Sequence, residues 1–314
     1  MREIKILEEI LQVDNLTDIC ITKNQIIIDK GNGLEKVKIP ENFLETSEDT
    51  RDLAGYFAFQ AGVRLDTTCP IADGLLPENF ISKNLKNIRF HAVLAPVCSA
   101  DLGAIISLRI PSKTNYSLEK LQELNMITNS DSKILEEAVK NKKNIIISGA
   151  TGSGKTTLMS ALIQKIPDKE RVICLEESRE IIKKLHPNLL FLTAKKANIE
   201  KIGKIDLNKL VSTSLRMHPN RLIIGEVRGN EVREYIQLLN TGHKGVITTI
   251  HANSCDDVPD RIASLACLSG LAKNFSAYSF DIVKNLFQKN IDLFVHLEKD
   301  NKTNTRKIVE LENN

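Results

Sequence analysis

The sequence lacks the features that mark several specialised classes of protein. No two of its six cysteines stand at CxxC spacing, so neither a zinc site nor a redox pair is indicated. Its 43 basic and 40 acidic residues leave a net charge of only +3, which gives no case for a dedicated nucleic-acid binder. The apolar run nearest to a membrane span, residues 92–108, contains Pro96 and Asp101 and is shorter than the ~20 residues that a bilayer requires.

The composition that remains is that of an ordinary globular protein. Hydrophobic residues make up 42% of the chain and charged residues 26%, which argues against a disordered tail or a fibrous repeat. A chain of 314 residues predicts two domains at about 150 residues each. We expect the cysteines to be reduced, mostly buried thiols of a cytosolic protein.

Residues 1–112 predict an α+β amino-terminal domain. Residues 21–29 are rich in β-formers, a turn follows at 30–33, and residues 34–39 return in alternation, which predicts a hairpin. Apolar residues recur at three- and four-residue spacing over 48–64, which predicts a helix.

Two further strands and a domain junction complete this part of the chain. The strands are predicted over 88–94 and 103–110. The polar segment 111–115 begins with a helix-breaking proline and is the predicted junction. Beyond it we expect a linker over 113–130 within a second domain, 113–314.

The second domain contains four short apolar runs separated by helical patterns, at residues 144–148, 172–175, 222–225 and 246–250. Runs without alternation predict strands buried on both faces of a parallel α/β sheet. Ligands of such sheets bind at the carboxyl ends of the strands. The residues just after each run should therefore carry chemistry.

A phosphate-binding loop follows the first run. The segment GATGSGKTT matches the Walker A pattern, with a strand before it and a helix after it. Lys155 can reach the β- and γ-phosphates, and the Thr156 hydroxyl can ligate Mg²⁺. The predicted nucleotide-binding residues are Gly149, Ala150, Thr151, Gly152, Ser153, Gly154, Lys155, Thr156 and Thr157.

Carboxylates follow the second and third runs. After the second run come Glu176, Glu177 and Glu180. They are either the solvated acidic start of a helix or a group that binds Mg²⁺ or positions water. Their place at the end of a strand favours the second interpretation. Glu226 ends an apolar strand as a Walker B carboxylate does, holding Mg²⁺ or orienting water. Thr156, Glu176 and Glu226 are the predicted metal ligands, with Glu226 ahead of Glu176 as the residue that activates water.

Histidines stand at both ends of the fourth run. His251 lies at the level of the other strand-end residues, which favours contact with the γ-phosphate over a purely structural role. His243 precedes the strand at its other end and is interpreted as structural.

Four boxes together resemble the secretion-superfamily ATPases that drive type IV secretion, conjugative transfer, and type II or pilus assembly. They are GATGSGKTT, LEESREI, LIIGEVRG and TGHKGVITTIHANS. The amino-terminal segments RFHAVLAPV and ISLRIPSK look most like the type IV secretion traffic ATPases. The chain has no four-cysteine zinc element of the kind common in type II assembly ATPases, which favours the type IV branch.

The resemblance implies a RecA-like P-loop NTPase domain, a smaller α+β amino-terminal domain, and a hexameric ring. Lys155 and Thr156 match the Walker A pair, Glu226 the Walker B glutamate and His251 the His-box histidine. Glu176 and Glu180 match acidic-box glutamates, where the family usually has aspartate at the position of Glu177.

Two arginines also match positions of interest in the family. Arg89 and Arg109 match amino-domain arginines that the family places against the nucleotide phosphates, and Arg109 could act as a charge clamp for the γ-phosphate. The residues alone favour a surface arginine at the end of a strand. Arg216 is a further candidate for an inter-subunit finger.

We therefore expect a Mg²⁺-dependent ATPase that works in a type IV secretion or conjugative transfer system. The resemblance implies inner-membrane secretion components and coupling ATPases as partners, a protein or DNA–protein substrate, and a position at the cytoplasmic face of the bacterial inner membrane. Sequence-specific nucleic-acid binding is not expected.

Three alternatives stay open. They are a type II secretion or type IV pilus ATPase, a nucleotide-gated assembly scaffold with negligible hydrolysis, and a helicase-like motor. The scaffold is disfavoured by Glu226. The Lys-rich segment 195–209 is the one feature that favours the helicase-like motor, and a solvated face explains it better.

Overall fold

A computed structural model describes residues 2–14, 16–31, 33–78, 80–81, 87–111, 115–181, 185–195, 197, 202–269, 280–300 and 302–314. The chain divides into two compact units, Met1–Thr114 and Asn115–Asn314. Residue 32 of the predicted turn, residues 112–114 of the predicted junction, and residues 196 and 198–201 of the Lys-rich segment lie outside the described residues.

The amino-terminal unit contains a six-stranded antiparallel sheet in the order β3-β2-β1-β6-β5-β4. The strands are β1 (Asp18–Thr22), β2 (Gln25–Asp29), β3 (Leu34–Lys36), β4 (Ile71–Leu75), β5 (Arg89–Leu94) and β6 (Ala104–Arg109). The helices are α1 (Arg2–Ile10) and α2 (Ser47–Gln60). A capping box of Thr46 and Asp49 starts α2, and its buried Phe57 packs edge-on against Phe90 of the sheet.

Three predicted elements in this unit have wrong bounds, and the first is the return strand predicted over 34–39, which ends at Lys36. Residues 21–29 are not one strand, because Asn24 takes a left-handed φ of 57° and turns β1 back onto β2. The predicted helix over 48–64 ends at Gln60, shortly before Gly62, which has a φ of 66°. Strand β4 was not predicted.

The carboxyl-terminal unit contains a seven-stranded sheet in the order β13-β12-β7-β11-β10-β8-β9. The strands are β7 (Ile145–Gly149), β8 (Val172–Glu176), β9 (Leu189–Thr193), β10 (Arg221–Val227), β11 (Val246–Ile250), β12 (Leu293–Lys299) and β13 (Arg306–Asn313). The helices are α3 (Leu118–Glu123), α4 (Asn129–Lys140), α5 (Lys155–Ile163), α6 (Leu207–Ser214), α7 (Val232–Asn240), α8 (Asp257–Leu268) and α9 (Phe280–Asn290).

All four strands predicted in this unit are present and parallel to their neighbours. Successive residues of each strand enter opposite hydrophobic cores: Ile145 and Ile147 enter one, and Ile146 enters the other. The strands are therefore buried on both faces, which explains their unbroken apolar runs. Strand β13 is the exception to the parallel arrangement, since it pairs antiparallel with β12.

The segment predicted as a linker, 113–130, includes a packed helix. Leu118 and Leu121 of α3 are buried in one of the cores of the carboxyl-terminal unit. Thr128 then caps α4 through a capping box with Asp131. Within the described ranges, no helix combines the length and the apolar character that crossing a bilayer would need.

Candidate nucleotide-binding and hydrolysis site

The chemistry-bearing residues lie at one edge of the seven-stranded sheet. Strands β7, β8, β10 and β11 are mutually parallel, so their carboxyl ends reach the same edge. The loop after β7, Glu176 at the end of β8, Glu226 near the end of β10, and His251 just after β11 all stand there.

The loop after β7 has the backbone that a phosphate cradle requires. Gly149, Gly152 and Gly154 have φ values of 145°, 77° and 99°, which side chains other than glycine rarely adopt. A Cβ at Gly149 would also stand 2.3 Å from the carbonyl oxygen of Leu297 in β12. Gly154 precedes the first residue of α5, so the amino end of that helix faces the loop.

Lys155 is the first residue of α5 and is almost fully buried. Its Nζ donates hydrogen bonds to the carbonyl oxygens of Gly149 and Ala150, at 2.8 and 2.9 Å. Burial lowers the pKa of the Lys155 ammonium, and nearby Glu226 opposes that shift. The side chain therefore lies folded along its own loop, where phosphate oxygens could replace the two carbonyl acceptors.

Beside this loop is a cavity, here called the acidic cavity, in which carboxylates predominate. Its lining residues are Thr156, Met159, Glu176, Glu177, Ser178, Glu180, Gly225, Glu226 and Arg228. Carboxylate and hydroxyl oxygens are the ligands that hard cations such as Mg²⁺ prefer.

The two carboxylate oxygens of Glu176 differ in their hydrogen bonding. Oε1 accepts hydrogen bonds from the backbone N–H groups of Glu180 and Ile181, at 3.0 and 3.1 Å, and so holds the segment after β8. Oε2 is buried and has no hydrogen-bond partner within the described ranges. Burial raises the pKa of Glu176 to about 7, and the two backbone hydrogen bonds oppose that shift.

The orphaned oxygen of Glu176 tests whether this cavity suits a divalent cation. A buried carboxylate oxygen without a partner is costly, and a cation or a cation-bound water would satisfy it. Thr156, which follows the Walker A lysine and is a predicted ligand of Mg²⁺, lines the same cavity. The donor set of hydroxyl and carboxylate oxygens therefore fits Mg²⁺.

The orientation of Glu226 depends on an irregularity of strand β10 that the sequence does not predict. The register between β10 and β11 shifts between Ile224 and Val227, so Gly225 and Glu226 lie in a β-bulge. Gly225 also leaves room for Glu176, since a Cβ there would stand 3.2 Å from Cγ of Glu176. Oε2 of Glu226 forms an ion pair with Nη2 of Arg228 at 2.9 Å.

His251 lies between the lysine of the loop and the carboxylate of β10. Its Nε2 is 2.9 Å from Oε1 of Glu226, and its Nδ1 is 3.5 Å from Nζ of Lys155. Burial lowers the pKa of His251, and the charge of Lys155 lowers it further. Oε1 of Glu226 is buried and has no hydrogen-bond partner within the described residues, so the approach of Nε2 is an electrostatic contact.

Three predicted arginines belong to other elements of the chain. Arg89 and Arg109 are direct cross-strand partners in the amino-terminal unit, at the start of β5 and the end of β6. Arg216 belongs to the carboxyl-terminal unit, where it lines a groove with Leu215 of the same short 3₁₀ turn and Glu234 of α7. His243 stands at the opposite edge of the sheet from His251, with Nδ1 2.9 Å from Oγ1 of Thr241.

Several residues that support the site were not predicted from the sequence. Thr248 and Thr249 of β11 donate hydrogen bonds to the carbonyl oxygens of Ile224 and Gly225, at 2.9 and 2.7 Å, and so hold the bulge. The repeated threonine inside an apolar strand was the available signal. Arg306 of β13 donates a hydrogen bond from Nε to the carbonyl oxygen of Gly152 at 2.8 Å. No local sequence pattern predicts this contact.

The sequence is similar to those of secretion and conjugation proteins. A family profile described as Type II/IV secretion system protein matches residues 5–294. A putative conjugal transfer protein of Mycobacterium tuberculosis is 38% identical over 267 residues, which are 85% of this chain and 74% of that protein. The type IV secretion system protein VirB11 of Brucella suis is 26% identical over 307 residues, covering 90% of this chain and 81% of that protein.

Solved structures share the fold. The VirB11 ATPase from the Brucella suis type IV secretion system, in complex with sulphate, superposes with a TM-score of 0.51 and 24% identity, over 99% of this chain and 94% of that chain. The pilus retraction motor PilT with bound ADP gives a TM-score of 0.63 and 17% identity, over 94% of this chain and 77% of that chain. These similarities confirm the α/β fold with a RecA-like domain that the sequence predicts.

Proposed function

The chain belongs to the type II/IV secretion system protein family, and on that premise we propose that it is a Mg²⁺-dependent ATP hydrolase. Its work is to drive substrate translocation, pilus assembly or both in a type IV secretion or conjugative transfer system. The observation that carries the proposal is the convergence of Lys155, His251 and Glu226 at the carboxyl edge of the sheet, within contacts of 2.9 and 3.5 Å.

The loop and Lys155 bind the phosphates in this proposal. Backbone N–H groups between Gly149 and Thr156 surround phosphate oxygens, and the amino end of α5 adds its positive dipole. The Lys155 ammonium exchanges its carbonyl acceptors for oxygens of the β- and γ-phosphates. Burial of Lys155 strengthens that charge interaction, because little water screens it.

Thr156, Glu176 and Glu226 are the groups that would hold Mg²⁺, directly or through water. When bound, the ion neutralises charge on the phosphate oxygens and keeps the β- and γ-phosphates in one orientation. Glu180 and Glu177 complete the acidic surroundings. In this arrangement the ion or a water bound to it would give Oε2 of Glu176 the partner that this buried oxygen lacks within the described residues.

Glu226 orients the attacking water and accepts its proton. The water oxygen forms a bond to the γ-phosphorus, the bond from that phosphorus to the β,γ-bridging oxygen breaks, and ADP leaves with inorganic phosphate. His251 contacts Glu226 through Nε2 and keeps the carboxylate turned towards the loop. Mutation of either residue should therefore affect the chemical step more than nucleotide binding.

Coupling to mechanical work involves the amino-terminal unit in this proposal. Arg89 and Arg109 sense the γ-phosphate and move when it is released, as other phosphate-dependent switches do. We propose a hexameric ring at the cytoplasmic face of the inner membrane, with inner-membrane secretion components and coupling ATPases as partners. The cargo is a secreted protein or a DNA–protein complex.

Phosphate release by the purified protein tests the hydrolase. Lys155→Ala should abolish Mg²⁺-dependent phosphate release, because the phosphates lose their buried counter-charge. Lys140→Ala, an exposed change in the last turn of α4, is the matched control and should retain the wild-type rate. Undiminished turnover by Lys155→Ala would refute the proposal. Binding of nucleotide without turnover by the wild type would favour the scaffold.

A further inference from the structure

Arg228 is the cationic side chain of the acidic cavity. Its Nη2 lies 2.9 Å from Oε2 of Glu226 and 3.5 Å from Oε2 of Glu177, so one guanidinium joins carboxylates from the ends of two strands. The other carboxylates that line the cavity are Glu176 and Glu180. Four carboxylates and one guanidinium therefore line the acidic cavity, and the guanidinium contacts two of the carboxylates.

The turn that carries Arg228 is fixed by a buried carboxylate. Oε1 of Glu231 accepts hydrogen bonds from the backbone N–H groups of Arg228 and Gly229, at 2.6 and 2.7 Å. Glu231 is almost fully buried, which limits the freedom of this turn. The turn thus holds the backbone from which Arg228 reaches back towards the end of β10.

The contacts of Arg228 involve the same oxygens that a divalent cation would need. Glu226 is a predicted metal ligand, and Glu177 lines the cavity beside it. The guanidinium and a divalent cation cannot both neutralise these carboxylates without repelling each other. Half of the Arg228 side chain is exposed, so it can swing away without opening the core.

We propose that Arg228 is an internal counter-cation that competes with the divalent cation for Glu226 and Glu177, and so disfavours binding of a cation that arrives without nucleotide. A nucleotide relieves the competition in two ways. Its phosphates add ligands for the cation, and they offer the guanidinium an alternative bidentate acceptor. The inference rests on the proposed function, since it takes the acidic cavity as the cation site.

Binding of Mn²⁺ to the nucleotide-free protein, followed by electron paramagnetic resonance of the free ion, tests this inference. Arg228→Gln should increase the affinity for Mn²⁺ by about tenfold or more, because a positive charge a few ångströms from the ion is removed. Arg228→Lys keeps the charge and should bind Mn²⁺ nearly as weakly as the wild type. With ADP present, the difference between Arg228→Gln and the wild type should shrink.

Arg171→Gln is the matched control, because it removes the same charge from an exposed arginine just before β8, at the opposite edge of the sheet. It should leave Mn²⁺ binding unchanged. The double variant Arg228→Gln with Glu226→Gln should lose the affinity gained, which locates the ion in the acidic cavity. Equal Mn²⁺ affinity in the wild type and Arg228→Gln, or an equal gain in Arg171→Gln, would overturn the inference.

Failure of the proposed function gives a different result. A wild-type protein that does not release phosphate from ATP, alongside a tightened Mn²⁺ site in Arg228→Gln, would refute the hydrolase and support the counter-cation. Phosphate release by the wild type, without any change of Mn²⁺ affinity in Arg228→Gln, would support the hydrolase and refute the counter-cation.

Discussion

Replacing Glu176 by glutamine should stabilise the protein at alkaline pH even though it damages the proposed cation site. Burial raises the pKa of Glu176 to about 7, against the two backbone hydrogen bonds that favour its charged form. A carboxyl group with a raised pKa in the folded chain binds its proton more tightly there than in the unfolded chain. Ionisation therefore costs stability.

The cost has a defined pH window. The loss of folding free energy caused by ionising Glu176 is absent below the ordinary pKa of 4.5, grows as the pH rises, and reaches its full value above about pH 7. A folded-state pKa of about 7 instead of 4.5 corresponds to roughly 3 kcal/mol at the alkaline limit, as an order of magnitude. The amide introduced by Glu176→Gln would remain neutral throughout, and its oxygen could still accept the N–H groups of Glu180 and Ile181.

Urea unfolding followed by far-ultraviolet circular dichroism measures the effect without nucleotide or divalent cation. The free energy of unfolding of Glu176→Gln minus that of the wild type should rise by about 2.5 kcal/mol between about pH 5 and pH 8. Taking this difference cancels the titration of groups common to both proteins.

Glu177→Gln is the matched control, because it removes the neighbouring carboxylate, which is half exposed. Its effect on the free energy of unfolding should stay below about 1 kcal/mol at both pH values. A difference between Glu176→Gln and the wild type that is the same at both pH values would show that burial does not perturb this carboxyl group.

Three further predictions concern the same protein. Glu226→Gln should lower kcat by about a hundredfold or more while ATP still binds, and an unchanged kcat in a phosphate-release assay would remove its role with water. Gly149→Ala should cost more than about 4 kcal/mol, because its Cβ would meet the carbonyl oxygen of Leu297, whereas Gly152→Ala, with open space around its Cβ, should cost about 1–2 kcal/mol. Similar melting temperatures for the two variants would contradict this comparison. Arg109→Ala should slow phosphate release while the carboxyl-terminal unit keeps its thermal transition, and an unaltered rate would exclude the clamp.

Those parts of the protein that depend on neighbouring residues could be predicted from the order of residues along the chain. A phosphate-binding loop is built from consecutive residues, so the segment from Gly149 to Thr156 could be recognised without a structure. Buried parallel strands are unbroken apolar runs, and their parallel direction brings Glu176, Glu226 and His251 to one edge. Turn geometry was harder, because the left-handed Asn24 resembles any polar residue within a β-rich segment.

The orientation and the protonation of these residues depend on contacts that form when the chain folds. The bulge at Glu226 depends on hydrogen bonds from Thr248 and Thr249 of the neighbouring strand, and the requirement for glycine at position 149 depends on Leu297. The raised pKa of Glu176 follows from its burial, which is a property of the packed unit. Such contacts join residues many positions apart, and their energies depend on distance and desolvation, which the order of residues along the chain does not specify.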